Sequence, residues 1–325
     1  MNGLGKYIAK RVLLLIPTTL LVCLIVFFLM RMLPGDAVEA LRYQLQCQGN
    51  YDITYEQVQA MLGMDKPAIV QFFIWLWDAV RGDLGDCLFQ TESVTQAIGR
   101  QLGPSIELGI LTLIFTNLIS IPLGLFCAAR QDSISDYAVR VISLILMSVP
   151  IFWLAILVLI YPAIWWNWSP PSQYVSFFKD PWQNLQMFLL PAFLGALTQA
   201  GMQLRIVRTV ILDVMRTDYI RTAWSKGDRE KTVLFRHALR NGLIPVITVI
   251  GSSVAGLVGG NVILENIFSI PGIGQQVISA IGKRDYPLVQ GCVLVFALFT
   301  MIVNLLVDIS YKWIDPRVSL DKEGS

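Results

Sequence analysis

Six long apolar runs dominate this chain, and each is long enough to cross a membrane as a helix. They are residues 12–30, 105–129, 141–166, 185–204, 243–264 and 288–311. The first holds nineteen residues without a charge. At about 1.5 Å per residue it reaches about 28 Å, close to the thickness of the hydrocarbon core. Because helices satisfy their backbone groups internally, as lipid requires, the pattern predicts an all-α integral membrane protein with six transmembrane helices.

Composition supports this class. Charged residues make up 15% of the chain, against about 25% in a soluble domain. A cleavable signal peptide is the alternative for the first run, but the run exceeds a typical apolar h-region and residues 33–36 lack a small-x-small cleavage site. We therefore expect a first transmembrane helix at 1–31, an external loop at 32–102, and a five-helix core at 103–325 that contains a loop at 205–242.

The distribution of basic residues predicts the orientation. With the N-terminus inside, the inner segments hold 17 lysines and arginines, whereas the two short outer loops hold three. Long outer loops weigh little in the positive-inside rule, so the five basic residues of the first outer loop do not change the balance. Both termini and the loop at 205–242 are therefore predicted to be cytoplasmic.

The inner loop is nearly forty residues long, although a few polar residues would be enough to make a turn. Its sequence predicts a short helix over residues 219–226, with Asp218 as N-cap and Gly227 in a conformation that suits glycine. A second helix is predicted over 230–241, ending at Gly242. The loop has the chemistry of a docking surface for a partner on the inner side of the membrane. The alternative is a solvated basic loop.

The long outer loop carries two features of interest. The apolar spacing around residues 72–77 suits a short amphipathic helix, which either lies on the membrane face or packs against the bundle. Cys47 and Cys87 both fall in this loop, and in an oxidising compartment they could form a disulfide. The alternative is two unrelated thiols.

The sequence contains no recognisable motif for catalysis, metal binding or phosphate binding. His237 is the only histidine, no cysteine pair has zinc spacing, and a Gly-x4-Gly-Lys-Ser/Thr phosphate loop is absent from the sequence. We therefore assign no catalytic, cofactor-binding or metal-binding residue. No acidic residue lies at the centre of a predicted span and no internal repeat is evident, which argues against a proton-coupled carrier.

Short motifs follow one another in a set order along almost the whole chain. They are KRVLL at 10–14, LPGD at 33–36, LGMDKP at 62–67, GDLG at 82–85, SVPIFW at 148–153, DYIRTAWSKG at 218–227, HALRNGLIP at 237–245, FSIPGIG at 268–274, RDYP at 284–287 and DPR at 315–317. Each motif alone is weak, but their order and spacing are specific. Together they resemble the permease subunits of ATP-binding-cassette importers, in the dipeptide, oligopeptide and nickel branch.

The resemblance implies a type I importer permease fold with a cytoplasmic coupling helix, in a bacterial or archaeal cytoplasmic (inner) membrane. It implies a homologous second permease subunit, two ATP-binding-cassette ATPase subunits and an external solute-binding protein as partners. ATP hydrolysis would then take place on the partner subunits, and this chain would be a transport subunit rather than an enzyme. No nucleic acid is expected as a partner, since the positive-inside bias accounts for the basic loop.

The resemblance also assigns the coupling residues. The superfamily motif begins Glu-Ala-Ala and places a glycine four residues after the second alanine; Ala223 and Gly227 match it here, whereas the two positions before Ala223 depart from it. We expect Tyr219, Thr222 and Ala223 to face an ATPase groove. The residues assigned to ATPase coupling are Tyr219, Arg221, Thr222, Ala223, Lys226 and Gly227.

Three questions stay open at the level of sequence. A secondary carrier or channel without an ATPase is the alternative function, although such a protein has no need for a folded docking helix in the loop. The transported solute is also open, because relatives carry dipeptides, oligopeptides, nickel chelates, glutathione and oligosaccharides. Nor does the sequence decide between a homodimeric and a heterodimeric permease pair.

Overall fold

The computed structural model describes residues 2–32, 35–229 and 261–314, with isolated residues between 232 and 254. In this part of the chain the regular structure is helical, apart from one isolated bridge between Asp86 and Ser93. The helices are α1 (Asn2–Met32), α2 (Ala37–Cys47), α3 (Tyr55–Met61), α4 (Ala68–Val80), α5 (Val94–Ala129), α6 (Ile134–Ser148), α7 (Ile151–Trp166), α8 (Pro181–Met215), α9 (Asp218–Ser225), α10 (Val262–Ile267), α11 (Ile273–Lys283) and α12 (Tyr286–Ile314).

Three helices of the described residues are individually long and apolar enough to cross a membrane: α5, α8 and the segment Tyr286–Val307 of α12. Two bent pairs raise the number to five if each pair forms one span: Ile16–Met32 with α2, at 66°, and α6 with α7, at 91°. Most of the predicted span at 243–264 lies outside the described residues. The all-α membrane class is therefore confirmed, and the count of six spans stays a prediction.

The third predicted span, residues 141–166, is divided between two helices, α6 and α7. The chain breaks between α6 and α7, where Val149 adopts an extended conformation (φ −77°, ψ 124°) and Pro150 precedes the first residue of α7. Proline disfavours the helical conformation in the residue before it and has no N–H to continue the ladder. Helix α8 nonetheless continues through Pro191, so a proline alone does not decide where a helix ends.

The first compact unit comprises Met1–Ser105 and Pro271–Met301. Its outer-loop helices are fixed by local caps: the Asp36 carboxylate accepts the Val38 N–H at 2.8 Å, and Thr54 forms a reciprocal capping box with Gln57. Val38, Leu41 and Val58 form a small core between α2 and α3. The predicted external loop is therefore folded rather than a simple connection.

Helix α4 contains the aromatic stretch that the sequence placed in an amphipathic helix. Phe72 is buried and stacks edge-on against Phe27 of α1, with 5.2 Å between ring centroids. Phe73 and Trp77 of the same helix are exposed. Packing against α1 is thus confirmed, and the described residues leave a second apolar face of α4 exposed.

The second compact unit comprises Ile106–Ile270 and Ile302–Ser325. One of its cores joins Leu108, Ala155, Phe188 and Leu264, which lie on α5, α7, α8 and α10. Helices α6 and α8 approach closely at Gly201, where an added Cβ would lie 3.0 Å from the Ser143 carbonyl oxygen and 2.7 Å from the Met147 side chain. Small residues permit such close approach of helices in lipid.

Candidate functional site

The candidate site is the short helix α9, which follows α8 after two residues. It spans Asp218–Ser225, one residue earlier at each end than the predicted 219–226. Thr217 occupies the N-cap position, so the expectation that Asp218 caps the helix is wrong. Asp218 instead lies in the first turn, where its carboxylate is 3.5 Å from an Arg221 guanidinium nitrogen. A negative charge is favourable there because it faces the positive end of the helix dipole.

The end of α9 agrees with its sequence. Lys226 is the C-cap, and Gly227 follows with φ +82°, in the left-handed region that glycine adopts without steric cost. The Gly227 N–H donates to the Trp224 carbonyl at 3.0 Å, and the Asp228 N–H donates to the Ala223 carbonyl at 3.3 Å. These two bonds make a Schellman motif, which closes the carbonyl end of the helix. The local prediction for Gly227 is confirmed.

One face of α9 packs into its own unit. Ile220 is fully buried and Ala223 is 6% exposed, and both join a core with Leu125 of α5 and Val207 of α8. Residues three apart lie on the same helix face, which explains why the two are buried together. Because the side chain at position 223 is small, α9 can pack closely against α5 and α8. This differs from the predicted orientation, in which Ala223 faced a partner.

The rest of α9 is exposed and carries charges of both signs, since Asp218 is exposed beside Arg221. Tyr219, Arg221, Thr222 and Trp224 are exposed, and Lys226 extends this surface beyond the last turn. We call the exposed side chains of residues 219, 221, 222, 224 and 226 the α9 face. Four of the six residues assigned to coupling belong to the α9 face: Tyr219, Arg221, Thr222 and Lys226. Gly227 follows the C-cap of the helix, and Ala223 lies on its buried side.

A buried ion pair joins α6 to α8 in the same unit. The Asp136 carboxylate is fully buried and accepts two hydrogen bonds from the Arg208 guanidinium, at 3.0 and 2.8 Å, and one from the Asp132 N–H at 3.1 Å. Arg140 approaches the same carboxylate at 3.5 Å. Bidentate arginine–carboxylate pairs fix orientation as well as distance. In the sequence Arg208 contributes only to the positive-inside balance, and no local pattern indicates its pairing with Asp136.

The other predicted positions fall elsewhere. Cys47 and Cys87 are both free thiols in the structure, Cys47 exposed and Cys87 buried. Burial raises the pKa of the Cys87 thiol to about 12, which keeps it protonated. The disulfide between them stays a prediction. The helix predicted at 230–241 and His237 lie outside the described residues. Among the described residues no group of three His, Cys, Asp or Glu side chains could hold a metal ion.

Two family models match the chain. The model described as binding-protein-dependent transport system inner membrane component matches residues 120–320. The model of the N-terminal part of the same membrane component matches residues 4–94. The two matches together cover both the outer-loop helices and the region that contains α9.

Relatives align along nearly their whole length. A protein of Brucella suis biovar 1 (strain 1330), with the provisional name of a peptide transport system permease protein, is 40% identical over 314 residues, which is 97% of this chain and 99% of that protein. The dipeptide transport system permease protein DppB of Escherichia coli (strain K12) is 34% identical over 336 residues, which is 96% of this chain and 98% of that protein.

A solved structure supports the fold. The crystal structure of an amino acid ABC transporter with histidines matches with a TM-score of 0.50 and 12% identity, over 67% of this chain and 94% of that chain. At this identity the match bears on the fold and not on the transported solute. It agrees with an all-helical permease architecture.

Proposed function

Since this chain belongs to the family of inner membrane components of binding-protein-dependent transport systems, we propose that it is the permease subunit of an ATP-driven importer of peptides or a related small solute. The observation that carries the proposal is the similarity to a dipeptide permease over nearly the full length of both chains. Membrane-spanning helices such as α5 and α8 fit a subunit that forms a pathway for the solute.

The proposed importer has four kinds of subunit. The chain pairs with a homologous second permease, two ATPase subunits bind the pair from the cytoplasm, and an external solute-binding protein delivers the solute. ATP hydrolysis belongs to the ATPase subunits, and this chain converts their movement into transport. The exposed α9 face supports an ATPase contact, since Arg221 and Lys226 offer charges that pair with acidic side chains.

The proposed coupling passes through the buried side of α9. An ATPase that displaces the α9 face also displaces Ile220 and Ala223, which pack against Leu125 of α5 and Val207 of α8. Closely packed interfaces move as rigid bodies between discrete arrangements rather than deforming continuously. The Asp136–Arg208 pair keeps α6 in register with α8 during such a movement.

The orientation follows the distribution of basic residues. Both termini and residues 205–241 are cytoplasmic in the proposal, and residues 31–102 are external. Cys47 is exposed and lies in the external segment, so it reports the orientation directly. A variant that keeps Cys47 as its only cysteine should react with a membrane-impermeant maleimide in intact cells. Reaction only after permeabilisation would reverse the orientation.

The function is tested by uptake in cells that lack the native permease. Arg221→Glu on the α9 face should lower both peptide uptake and co-purification of the ATPase by about tenfold or more, since it reverses a charge at the proposed contact. Arg130→Glu is the matched control, because Arg130 is an exposed arginine outside the α9 face. Uptake that continues without the ATPase would assign the chain to the secondary carriers or channels instead.

A further inference from the structure

Six exposed aromatic rings lie between the end of α7 and the first turn of α8, in a segment to which the transport proposal assigns no role. They are Trp165, Trp166, Trp168, Phe177, Phe178 and Trp182, and Phe178 is 95% exposed. We call these six rings the aromatic end. A large exposed apolar patch on a folded protein marks a surface that contacts another molecule or a membrane. The aromatic end is therefore a candidate contact surface.

The segment between α7 and α8 is attached to α8. The Nδ2 group of Asn184, a buried residue of α8, donates to the Val175 carbonyl at 2.9 Å. The half-buried Tyr174 ring packs edge-on against the buried Phe188 ring, with 6.1 Å between ring centroids. Since residues 174 and 175 are fixed in this way, the exposure of Phe178 a few residues later belongs to a folded segment.

The start of α8 is fixed by its own cap. The Asp180 carboxylate accepts the backbone N–H groups of Trp182 and Gln183, both at 3.1 Å. Just before the cap, the Lys179 N–H donates to the Ser176 carbonyl at 2.9 Å and closes a turn. Trp182 therefore lies in the first turn of α8, where its ring is exposed.

The exposed side of α7 changes from aliphatic to aromatic along the helix. Ile156, Ile160 and Ile164 are exposed and lie four residues apart, so they share one helix face. The helix then ends with Trp165 and Trp166. Aliphatic side chains suit the hydrocarbon core, and tryptophan rings concentrate at the level of the headgroups. The change from isoleucine to tryptophan therefore marks one boundary of the hydrocarbon core on α7.

Helix α8 shows the same order, read from its first residue. Trp182 comes first, and the exposed side chains of Leu189 and Phe193 follow further along the helix. The two helices pack against each other, since Ala155 of α7 and Phe188 of α8 belong to one core. The end of α7 and the start of α8 therefore meet the same boundary of the membrane.

The segment carries little charge. Residues 165–182 contain one basic and one acidic side chain, Lys179 and Asp180, and the carboxylate of Asp180 caps α8. Protein partners are commonly selected by complementary charge, which this surface hardly offers. A bilayer boundary instead favours aromatic rings. The composition of the segment and its place at the ends of two membrane helices both favour lipid as the partner.

We propose that the aromatic end lies in the headgroup layer of the bilayer and fixes the depth of α7 and α8 in the membrane. A tryptophan ring suits this layer because it combines a large apolar surface with an N–H group that donates to headgroups or water. The proposal does not depend on which solute is transported or on which side of the membrane the segment lies.

The first test measures depth by fluorescence quenching. Phe178→Cys is labelled with bimane in the full-length chain without its native cysteines, and the chain is reconstituted into phosphatidylcholine vesicles. The vesicles carry a nitroxide either on the lipid headgroup or near the middle of the acyl chain. The headgroup nitroxide should quench the label at 178 about twofold more strongly than the mid-chain nitroxide, since the ring lies at headgroup level.

Ile160→Cys is the matched control, because Ile160 is exposed on the aliphatic face of α7. Its label should show the opposite preference and be quenched more by the mid-chain nitroxide. If iodide in the water quenches the label at 178 while neither nitroxide does, the segment lies in water, the surface fits a protein partner, and the proposal is overturned. A mid-chain preference at both positions would also overturn it, since the segment would then lie in the hydrocarbon core.

The second test concerns the control of depth. Phe178→Ala combined with Trp182→Ala removes two exposed rings and should shift the ratio of mid-chain to headgroup quenching at the label on residue 160. Phe152→Ala is the control, because Phe152 is an exposed ring near the other end of α7. It should leave the ratio unchanged. An equal ratio in the parent and the double variant would show that these rings do not fix the depth of α7.

Discussion

Helices α4 and α9 are two short helices that expose opposite kinds of surface. Helix α4 buries Phe72 and exposes Phe73 and Trp77, whereas α9 buries Ile220 and exposes Arg221. An exposed apolar face requires an apolar neighbour, and an exposed charged face is stable in water or against a partner of complementary charge. The difference supports the proposal that α9 contacts another protein, and it leads us to expect that α4 contacts lipid.

The largest effect is expected at the buried ion pair between α6 and α8. Asp136→Ala removes the buried carboxylate and leaves Arg208, 15% exposed, without its bidentate partner. Breaking one side of a buried pair costs about 3–5 kcal/mol. We expect a large fall in the thermal midpoint in detergent and loss of uptake. Glu39→Ala is the control, since its pair with Arg42 is exposed and worth at most about 1 kcal/mol. Equal midpoints in the two variants would show that the pair does not stabilise the packing of α6 against α8.

The next effect separates the two faces of α9. Ala223→Glu places a carboxylate in the core beside Val207 and should destabilise the protein by about 3 kcal/mol or more. Thr222→Glu, on the neighbouring exposed position, should change the free energy of unfolding by less than about 0.5 kcal/mol while weakening ATPase association. If Ala223→Glu keeps full stability and loses only the ATPase, then position 223 faces the partner, as the sequence suggested.

The structure of α9 was only partly predictable from the sequence. The end of α9 was predictable because Gly227 follows a local rule of backbone conformation. The seating of Ala223 was not, since helical periodicity defines a face but does not say which neighbour covers it. Ile220 was the available signal, as the one large aliphatic residue in this short helix.

The larger features of the fold were also only partly predictable from the sequence. The spans in α5, α8 and α12 were predictable, because their apolar length depends only on the bilayer. The 91° bend at Pro150 was not, since α8 continues through Pro191 and the angle depends on tertiary packing. The Asp136–Arg208 pair joins residues 72 positions apart, for which a single sequence has no local signal.

A smaller effect is expected at Asp285, a buried carboxylate in the same compact unit as α4. Asp285 is 1% exposed and accepts the Leu88 N–H at 3.0 Å and the Leu288 N–H at 3.2 Å. Asp285→Asn turns one acceptor into a donor and sets it against an N–H. The expected cost is about 2 kcal/mol of unfolding free energy. An unchanged thermal midpoint would mean that the loop before α5 is not held by this carboxylate.

The same residue gives a smaller effect that depends on pH. Burial raises the pKa of Asp285, against the opposing effect of the N–H donors from Leu288, Leu88 and Phe89. The folded state then binds the proton more tightly than the unfolded state, so this residue's contribution to stability falls as pH rises from about 4 through the folded pKa. The stability of the parent relative to Asp285→Asn should therefore increase as pH is lowered toward 4. A difference that stays constant across this range would contradict the raised pKa.

The smallest effect on stability is expected at one exposed aromatic residue on each of α4 and α9. Phe73 and Tyr219 are aromatic, exposed residues, 62% and 42% accessible, on α4 and α9 respectively. Each can be replaced by cysteine, in a background without the native cysteines, and given a spin label in a lipid nanodisc. Because neither side chain is buried, each change should alter the free energy of unfolding by less than about 0.5 kcal/mol.

The two labels should nevertheless report different surroundings. Oxygen concentrates in the hydrocarbon region and a nickel chelate stays in water, so relaxation by each agent measures what covers the label. The label at 73 should respond mainly to oxygen, since α4 presents an apolar face beside the end of α1. The label at 219 should respond mainly to the chelate, and it should lose that response when the ATPase binds. Equal responses at the two positions would show that α4 and α9 face the same environment, and the distinction between a lipid-facing and a protein-facing helix would fail.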